Sequence, residues 1–306
     1  MPALSYKEFM EKVRSRLKDL SAEELRELIL VWADEEHPSN RQEFLGKLIA
    51  PKGKQEDSED TLIEEIEAFA QRVIDGEYCE GWGWDDEIYD ERDFGDESWA
   101  EEMDEFFLRA RNLMLQEDYS RAEEAYRKLF DVLEMAEEPG HLPGILPTNM
   151  LTVELDEQVA LFLRAVYMSS SFQRRGSLLF EAMHKCRYLS RQIDLKSMME
   201  ALDGELPDFE DFLGEWIQLL KDQNLHLAYD DFSFSTSALL REAIFLKGGV
   251  PAISEFARQN ADRYPRAYLD WLEALEAQDD QKAMIQVARE GLGRIPKNYR
   301  VRAEVA

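Results

Sequence analysis

A strongly acidic segment with aromatic residues along it is the first place where this chain could do chemistry. Residues 75–105 hold fifteen Asp and Glu residues and one basic residue, Arg92, which leaves a net charge of −14. Rings anchor many protein interfaces, and carboxylates steer a partner of opposite charge. The segment therefore predicts a docking site for a basic protein partner. Its predicted contact residues are Trp82, Trp84, Asp85, Asp86, Tyr89 and Trp99.

Two other interpretations of this segment stay open. In the first, the rings pack on a helical core and the acids simply face water. In the second, the carboxylates bind a divalent cation. The spacing of the acids lacks the alternate positions and the glycine of an EF-hand loop. The acids in question are Asp85, Asp86, Glu87, Asp90, Glu91 and Asp93. We therefore expect no metal and no cofactor.

Residues 173–196 have the opposite character, with six Lys or Arg residues against two acids. Within them His184, Arg187 and Arg191 follow i, i+3, i+7 spacing, which places them on one face of a helix. Such a face could bind a phosphate, an acidic peptide or nucleic acid. The alternative is that these bases pair with the protein's own surplus of carboxylates, and the overall charge favours this alternative.

No pattern of catalytic residues is visible in the chain. His184 and Cys186 are two residues apart, so on a helix they point away from each other. The four histidines form no two-histidine metal motif. The glycines at 81–83 and 291–293 lack the lysine and the strand-turn-helix setting of a phosphate-binding loop. We predict that the chain is not an enzyme.

Helices are the elements that must position these residues. Apolar side chains at i, i+3, i+4 and i+7 predict helices along most of the chain, and the clearest pair is a helical hairpin at 105–135. Residues 77–97, which hold most of the aromatic residues of the acidic segment, lack this periodicity and are predicted to form a loop. The short alternating stretch at 232–234 is also assigned to a loop.

Near the end of the chain, six pairs of matched positions share one constant spacing. The pairs are Ala243 and Ala274, Ile244 and Leu275, Ala252 and Ala283, Phe256 and Val287, Ala257 and Ala288, and Pro265 and Pro296. A fixed period of roughly 20–50 residues is typical of a solenoid, in which each helix pair packs on the next. Each copy is predicted as helix, short turn, helix and proline, with the turns at 248–249 and 279–280.

Four regions follow from these patterns. Residues 1–50 are predicted to form a three-helix unit, and residues 51–136 hold a helix, the acidic-aromatic loop and the helical hairpin. Residues 137–154, rich in Pro and Gly, are predicted to be a linker. Residues 155–306 form the helical repeat region. Its last residues, 299–306, look like the first turns of a helix that stops without a cap, so we expect the chain to continue beyond residue 306.

The hairpin at 105–135 resembles a tetratricopeptide repeat. The residues at its packing positions are Ala110, Leu113, Tyr119, Ala122, Tyr126 and Leu129. It departs from that motif at Glu117, where glycine is usual, and at Glu134, where proline is usual. The repeats at 243–296 are similar but have a period of 31 rather than about 34 residues. The resemblance implies an all-α solenoid of helical hairpins, wound as a right-handed superhelix behind an N-terminal helical cap, that serves as a protein-binding scaffold.

A second resemblance concerns larger segments of the chain. Residues 21–48, 98–135 and 154–183 resemble the helical region of bacterial proteins that carry a SWIM zinc finger. That finger needs a Cys-x-Cys and then a Cys-x-His, because four ligands must converge on one tetrahedral zinc ion. The chain has two cysteines and no such set. The zinc ion and its nucleic-acid role are therefore not carried over.

Composition bounds the remaining function classes. Apolar residues make up 44% of the 306 residues, which is ample material for a core. The net charge of −29 argues against general binding to nucleic acid or to anionic membrane. We see no signal peptide and no apolar run of about 20 residues, and two cysteines suit a reducing compartment. We therefore expect a cytoplasmic protein-interaction scaffold. The alternative is a regulatory helical arm of a longer, nucleic-acid-associated protein.

Overall fold

The computed structural model of the chain describes residues 26, 29–33, 61–86, 89–135, 140–143, 147–190, 192–222 and 236–297. These residues are mostly helical, as expected for an all-α chain. They also include a two-stranded sheet, which the sequence did not predict. They fall into two compact units that divide between Val153 and Glu154, with Glu200–Gly204 grouped with the first unit. Most of the predicted three-helix unit at 1–50 lies outside the described residues, while residues 29–33 are helical.

Besides the helical residues 29–33, the main elements in the described part of the first unit are three α-helices and a β-hairpin. Its elements are α1 (Leu62–Ile74), β1 (Cys79–Asp85), β2 (Asp90–Gly95), α2 (Trp99–Leu115) and α3 (Tyr119–Met135). Helices α1 and α2 both pack against α3. The core is aromatic, with ring centroids 5.5 Å apart for Phe69 and Phe106 and 5.6 Å apart for Phe107 and Phe130. Helices α2 and α3 lie where the helical hairpin was predicted.

The turn between α2 and α3 is built around a left-handed residue. Glu117 has a φ of 64°. The amide of Asp118 donates to the carbonyl of Leu113 at 2.9 Å, which is the six-to-one bond of a Schellman motif. The Asp118 side chain then caps α3 by accepting from the backbone amide of Arg121 at 3.2 Å. The residue that stands in place of the usual glycine therefore has the conformation that favours glycine.

Glycine at this turn is expected to stabilise the first unit. A residue with a Cβ costs about 1–2 kcal/mol in the left-handed conformation, and glycine avoids this cost. Part of the gain is lost because glycine raises the conformational entropy of the unfolded chain. We expect Glu117→Gly to raise the free energy of unfolding by about 0.5–1 kcal/mol, measured by urea denaturation. The adjacent change Gln116→Gly, at a residue with a φ of −89°, should lower it. A loss of stability in Glu117→Gly would contradict this account of the turn.

Strands β1 and β2 pair as an antiparallel β-hairpin, so the prediction of a loop over 77–97 is wrong. In the register of its strands Trp82 lies opposite Asp93, and Trp84 lies opposite Glu91. A β-bulge interrupts the pairing between Cys79 and Gly81. The strand signal was weak because β1 alternates glycine with tryptophan over only four residues, and glycine and acidic residues are depleted in strands.

The regular elements in the described part of the second unit are all helices. Its elements are α4 (Leu155–Ser169), α5 (Phe172–Lys185), α6 (Leu195–Glu200), α7 (Phe209–Asp222), α8 (Thr236–Gln259), α9 (Ala267–Glu276) and α10 (Gln281–Arg294). Its aromatic core joins α4 to α7, because Tyr167 meets Phe212 edge-on at 5.0 Å and Phe212 stacks on Trp216 at 5.6 Å. None of the described helices combines the length and the apolar composition needed to cross a bilayer.

Helix α8 is broken at Gly249, where φ is 60° and ψ is −153°. This is a conformation that glycine adopts without strain, and it lies at the turn predicted for 248–249. The part of α8 before the break corresponds to α9 in the predicted repeat. The part after the break begins at Val250, and its match, α10, begins at Gln281. These two helix starts have the spacing that the matched positions have in the sequence.

The turn between α9 and α10 has the same bonds as the turn between α2 and α3. Asp279 has a φ of 56°. The amide of Asp280 donates to the carbonyl of Leu275 at 3.1 Å, and its side chain accepts from the amide of Ala283 at 3.0 Å. A left-handed residue followed by a capping aspartate thus closes one helical hairpin in each unit.

Candidate functional site

Two tryptophans lie on one side of the β-hairpin and are largely exposed. Trp82 is 56% exposed and Trp84 is 57% exposed. Residues two apart on a strand point to the same side, and Glu91 shares that side because it lies opposite Trp84. Asp86 directly follows β1. We call Trp82, Trp84, Asp86 and Glu91 the tryptophan face.

The polar atom of each indole ring is already bonded within the tryptophan face. The Nε1–H of Trp82 donates to Oε2 of Glu91 at 3.3 Å. The Nε1–H of Trp84 donates to Oδ1 of Asp86 at 3.0 Å. These bonds orient both rings. An incoming molecule therefore meets ring carbon and carboxylate oxygen rather than an unbonded N–H donor.

The opposite side of the hairpin is organised by Arg92, the single base of the acidic segment. Its guanidinium lies 4.7 Å from the centre of the Phe94 ring. It forms ion pairs with Asp85 and Glu97, each at 2.9 Å. A side chain at Gly83 would come within 3.3 Å of the Phe94 ring, so this strand position favours glycine. The base of the segment therefore neutralises acids away from the tryptophan face.

Tyr78 anchors the start of the hairpin to the helices. It is buried, its ring lies 5.8 Å from that of Phe69, and its hydroxyl donates to Oε2 of Glu102 at 3.0 Å. Burial and this bond to an acidic partner raise the pKa of Tyr78. Arg72 forms an ion pair with Glu102 and lies over the Tyr78 ring at 5.4 Å. The hairpin is thereby fixed to α1 and α2.

Two acids of the segment are structural. Asp93 is buried and accepts from the amide of Gly140 at 2.9 Å. Asp104 is buried on α2 and accepts from the amide and hydroxyl of Thr152 and from the amide of Val153. These bonds attach described parts of the predicted linker, 137–154, to the first unit. Burial, and then the charge of Asp93, also raise the pKa of the Cys79 thiol.

The structure brings together part of the predicted contact set. Trp82, Trp84 and Asp86 belong to the tryptophan face, and Tyr89, in the turn between the strands, is 79% exposed. The other two predicted residues lie elsewhere. Trp99 is fully buried at the start of α2, and Asp85 pairs with Arg92.

Glu91 is the member of this face that sequence reasoning did not predict as a partner contact. In the sequence it is only one of six acids that could bind a divalent cation. Its place beside Trp82 and Trp84 follows from the register of the hairpin. In the sequence, the alternation of glycine and tryptophan is the one sign of strand β1, and the position of Glu91 beside the two rings depends on that strand.

The bases of the basic stretch lie in different settings. Arg187 donates to the ring of His184 and lies over the Tyr188 ring at 4.5 Å. Arg191, the third predicted member of that face, lies outside the described residues. Arg175 is buried, and its guanidinium donates to the carbonyls of Tyr167 at 3.0 Å and of Pro207 at 3.1 Å. At least one of these bases therefore belongs to the core of the second unit.

The described histidines and cysteines were also candidates for metal-binding or thiol chemistry. In the parts of the chain that the structure describes, no three His, Cys, Asp or Glu side chains form a group that could hold a metal ion. Cys186 is buried, and burial raises the pKa of its thiol to about 12. His141 Nδ1 lies 3.2 Å from the carbonyl oxygen of Val73, a contact with the backbone.

A shallow groove lies between α7 and α8, with a volume of about 270 Å³. Its floor is apolar, from residues such as Ile217, Ile244 and Phe256, and Lys221 and Lys247 lie among its other lining residues. Ile244 and Phe256 are matched positions of the predicted repeat. The break of α8 at Gly249, at the turn predicted for 248–249, lies beside the groove.

Glu242 is the carboxyl group whose pKa departs most from its ordinary value among the described residues. It lies on α8 and accepts from the backbone amides of Leu195 at 3.0 Å and Lys196 at 2.8 Å, so it caps α6. Burial, and then the nearby charge of Asp194, raise its pKa to about 7 despite these two bonds. Its contacts indicate a structural role.

Stability is expected to depend on pH through Glu242. Its folded pKa, about 7, lies above its unfolded value, so the folded state binds the proton more tightly. The stabilisation is complete below the unfolded pKa and is lost as pH rises through the folded pKa. The free energy of unfolding should therefore fall as the pH rises from 5 to 8. We expect this fall to be smaller by about 2 kcal/mol in Glu242→Gln, as measured by urea denaturation at each pH. Glu255→Gln, at an exposed position of the same helix, is the control, and equal effects of the two changes would contradict this prediction.

Comparison of this chain with protein-family models, with curated proteins and with solved structures finds no match.

Proposed function

We propose that this chain is a non-catalytic, cytoplasmic interaction scaffold that binds a basic segment of a protein partner through the tryptophan face. The observation that carries this proposal is the exposure of Trp82 and Trp84, each above half, within a segment of net charge −14. Exposed tryptophan leaves a large apolar area in water, and such rings are enriched at the centres of protein interfaces. The surrounding carboxylates favour a partner of positive charge.

We further propose that the helices form an array of tetratricopeptide-like hairpins, a right-handed α-solenoid that carries this face. Two observations support it. The turns at Glu117 and Asp279 share one backbone conformation and one pattern of capping bonds. The second helices of the last two hairpins begin at the spacing of the matched sequence positions. Stacked hairpins of this kind present extended surfaces for partners.

Capture of the tagged chain from a lysate of its host, after nuclease treatment, tests the binding proposal when variants are compared side by side. We expect Trp82→Ala/Trp84→Ala to lose about tenfold or more of the protein retained by the unchanged chain, as measured by mass spectrometry. Leu108→Ala/Leu115→Ala is the matched control, because these α2 side chains are 51% and 53% exposed. Circular dichroism should show equal helical content in all three proteins.

The same comparison identifies the alternatives. Equal retention of the protein by the tryptophan variant would show that the hairpin is structural and would overturn the proposed site. Captured material that disappears with nuclease would favour a regulatory arm of a longer, nucleic-acid-associated protein. In that case binding should weaken with salt and with Arg187→Glu.

A further inference from the structure

We infer that the tryptophan face recognises an extended segment in which Lys or Arg alternates with other residues, so that one cation lies over each indole ring. This inference rests on the proposed function and names the chemistry of the partner at the same site. Three features of the hairpin lead to it: the bonded indole N–H groups, the spacing of the rings, and the charge of the segment.

The bonded N–H groups select cations over hydrogen-bond acceptors. Because Glu91 and Asp86 already accept from the two indole donors, a partner carbonyl or carboxylate finds no unbonded N–H on either ring. The face of an indole ring is electron-rich and attracts an ammonium or guanidinium group within about 6 Å of its centre. Arg258 makes this contact in the second unit, 4.5 Å from the centre of the Trp271 ring.

The spacing of the rings selects an extended partner. Trp82 and Trp84 are two residues apart on one strand, so their attachment points are about 7 Å apart. Alternate side chains of another extended chain have the same spacing, whereas neighbouring side chains point to opposite sides. Strand β1 pairs with β2 on one side, and no third strand of the described chain pairs with it on the other. A partner strand lying along that edge would place alternate side chains opposite the two rings.

The charge of the segment completes the selection. Residues 75–105 carry a net charge of −14, and their one base, Arg92, pairs with acids on the opposite side of the hairpin. A second copy of the chain, at −29, and a nucleic acid are both repelled by this charge. An uncharged apolar segment gains nothing from the carboxylates beside the rings. A basic strand gains both the ring contacts and the charge attraction.

The test uses the full chain and two peptides of identical composition in isothermal titration calorimetry. One peptide repeats Thr-Lys four times, so lysines occupy alternate positions. The other repeats Lys-Lys-Thr-Thr twice, so no two lysines are two residues apart. We expect the first peptide to bind about threefold to fivefold more tightly, and Trp82→Ala/Trp84→Ala to lower its affinity about tenfold. Trp32→Ala, which removes a tryptophan that is 52% exposed elsewhere, is the matched control and should not change it.

Each other result overturns the inference. Equal binding of the two peptides would show that the alternation of lysines is not recognised. Equal binding of the first peptide to the unchanged chain and to the tryptophan variant would leave only general attraction to carboxylates. Tighter binding of a peptide that repeats Thr-Leu, of single-stranded DNA or of a second copy identifies another occupant. If neither lysine peptide binds while the captured protein still requires Trp82 and Trp84, this inference fails and the proposed function stands. If the captured protein is indifferent to those residues, both fail.

Discussion

Replacement of Arg175 by alanine is expected to lower the free energy of unfolding by about 4 kcal/mol, because it removes several buried hydrogen bonds and their packing at once. The guanidinium donates to the carbonyls of Tyr167 and Pro207, and it lies 4.3 Å from the centre of the Tyr167 ring. Without it the Tyr167 carbonyl loses this donor in a buried setting, and the Pro207 carbonyl keeps only the Tyr167 hydroxyl, at 2.7 Å. The space that the side chain filled is left open.

The neighbouring residue provides the control for this prediction. Arg174 carries the same charge but is exposed on α5, so Arg174→Ala should change stability by less than about 0.5 kcal/mol. Urea denaturation followed by circular dichroism compares the two variants under the same conditions. Similar midpoints for both would show that Arg175 is not a structural residue. Arg175→Met, which keeps much of the packing and none of the donors, should fall between them.

Replacement of Asp104 by alanine is expected to destabilise the first unit by about 3 kcal/mol, since hydrogen bonds to a buried charge are individually strong. One carboxylate accepts from the Thr152 amide at 2.9 Å, from the Thr152 hydroxyl at 2.6 Å and from the Val153 amide at 3.2 Å. These bonds attach the segment that precedes the second unit to α2. Limited proteolysis should therefore cut near Thr152 sooner in the variant.

Glu105→Ala separates this effect from the loss of one negative charge in an acidic region. Glu105 is exposed beside Asp104, so its replacement relieves the same repulsion without breaking these bonds. We expect Glu105→Ala to be neutral or slightly stabilising in urea denaturation, and Asp104→Asn to lie between Asp104→Ala and the unchanged chain. Equal stability of Asp104→Ala and Glu105→Ala would contradict a structural role for Asp104.

Sequence periodicity was sufficient for the helices of the first unit because burial follows the helical repeat there. Leu62, Ile66, Phe69 and Val73 fall on one face of α1, and all four are fully buried. Capping residues and left-handed turns also follow from local chemistry, as Asp118 and Asp280 show. Such features depend on residues near one another in sequence, and these are the relations that a sequence displays.

The candidate site was harder to predict because it depends on contacts between distant residues. Trp82 and Trp99 lie in the same acidic segment, yet one is exposed and the other fully buried. Composition cannot separate them, because the register of the hairpin determines the exposure of Trp82 and the packing of α2 determines the burial of Trp99. The same holds for Arg174 and Arg175, which are adjacent in sequence but differ by about 100° around the helix.

The bonded, exposed indoles of the tryptophan face also give the protein a built-in optical reporter. The chain has six tryptophans, of which Trp99 and Trp216 are fully buried while Trp82 and Trp84 face water beside carboxylates. Indoles in water emit at longer wavelengths than indoles in an apolar core, and a cation seated on a ring alters its emission. Arrival of a ligand at the hairpin should therefore be visible in the red edge of the intrinsic fluorescence, without any label.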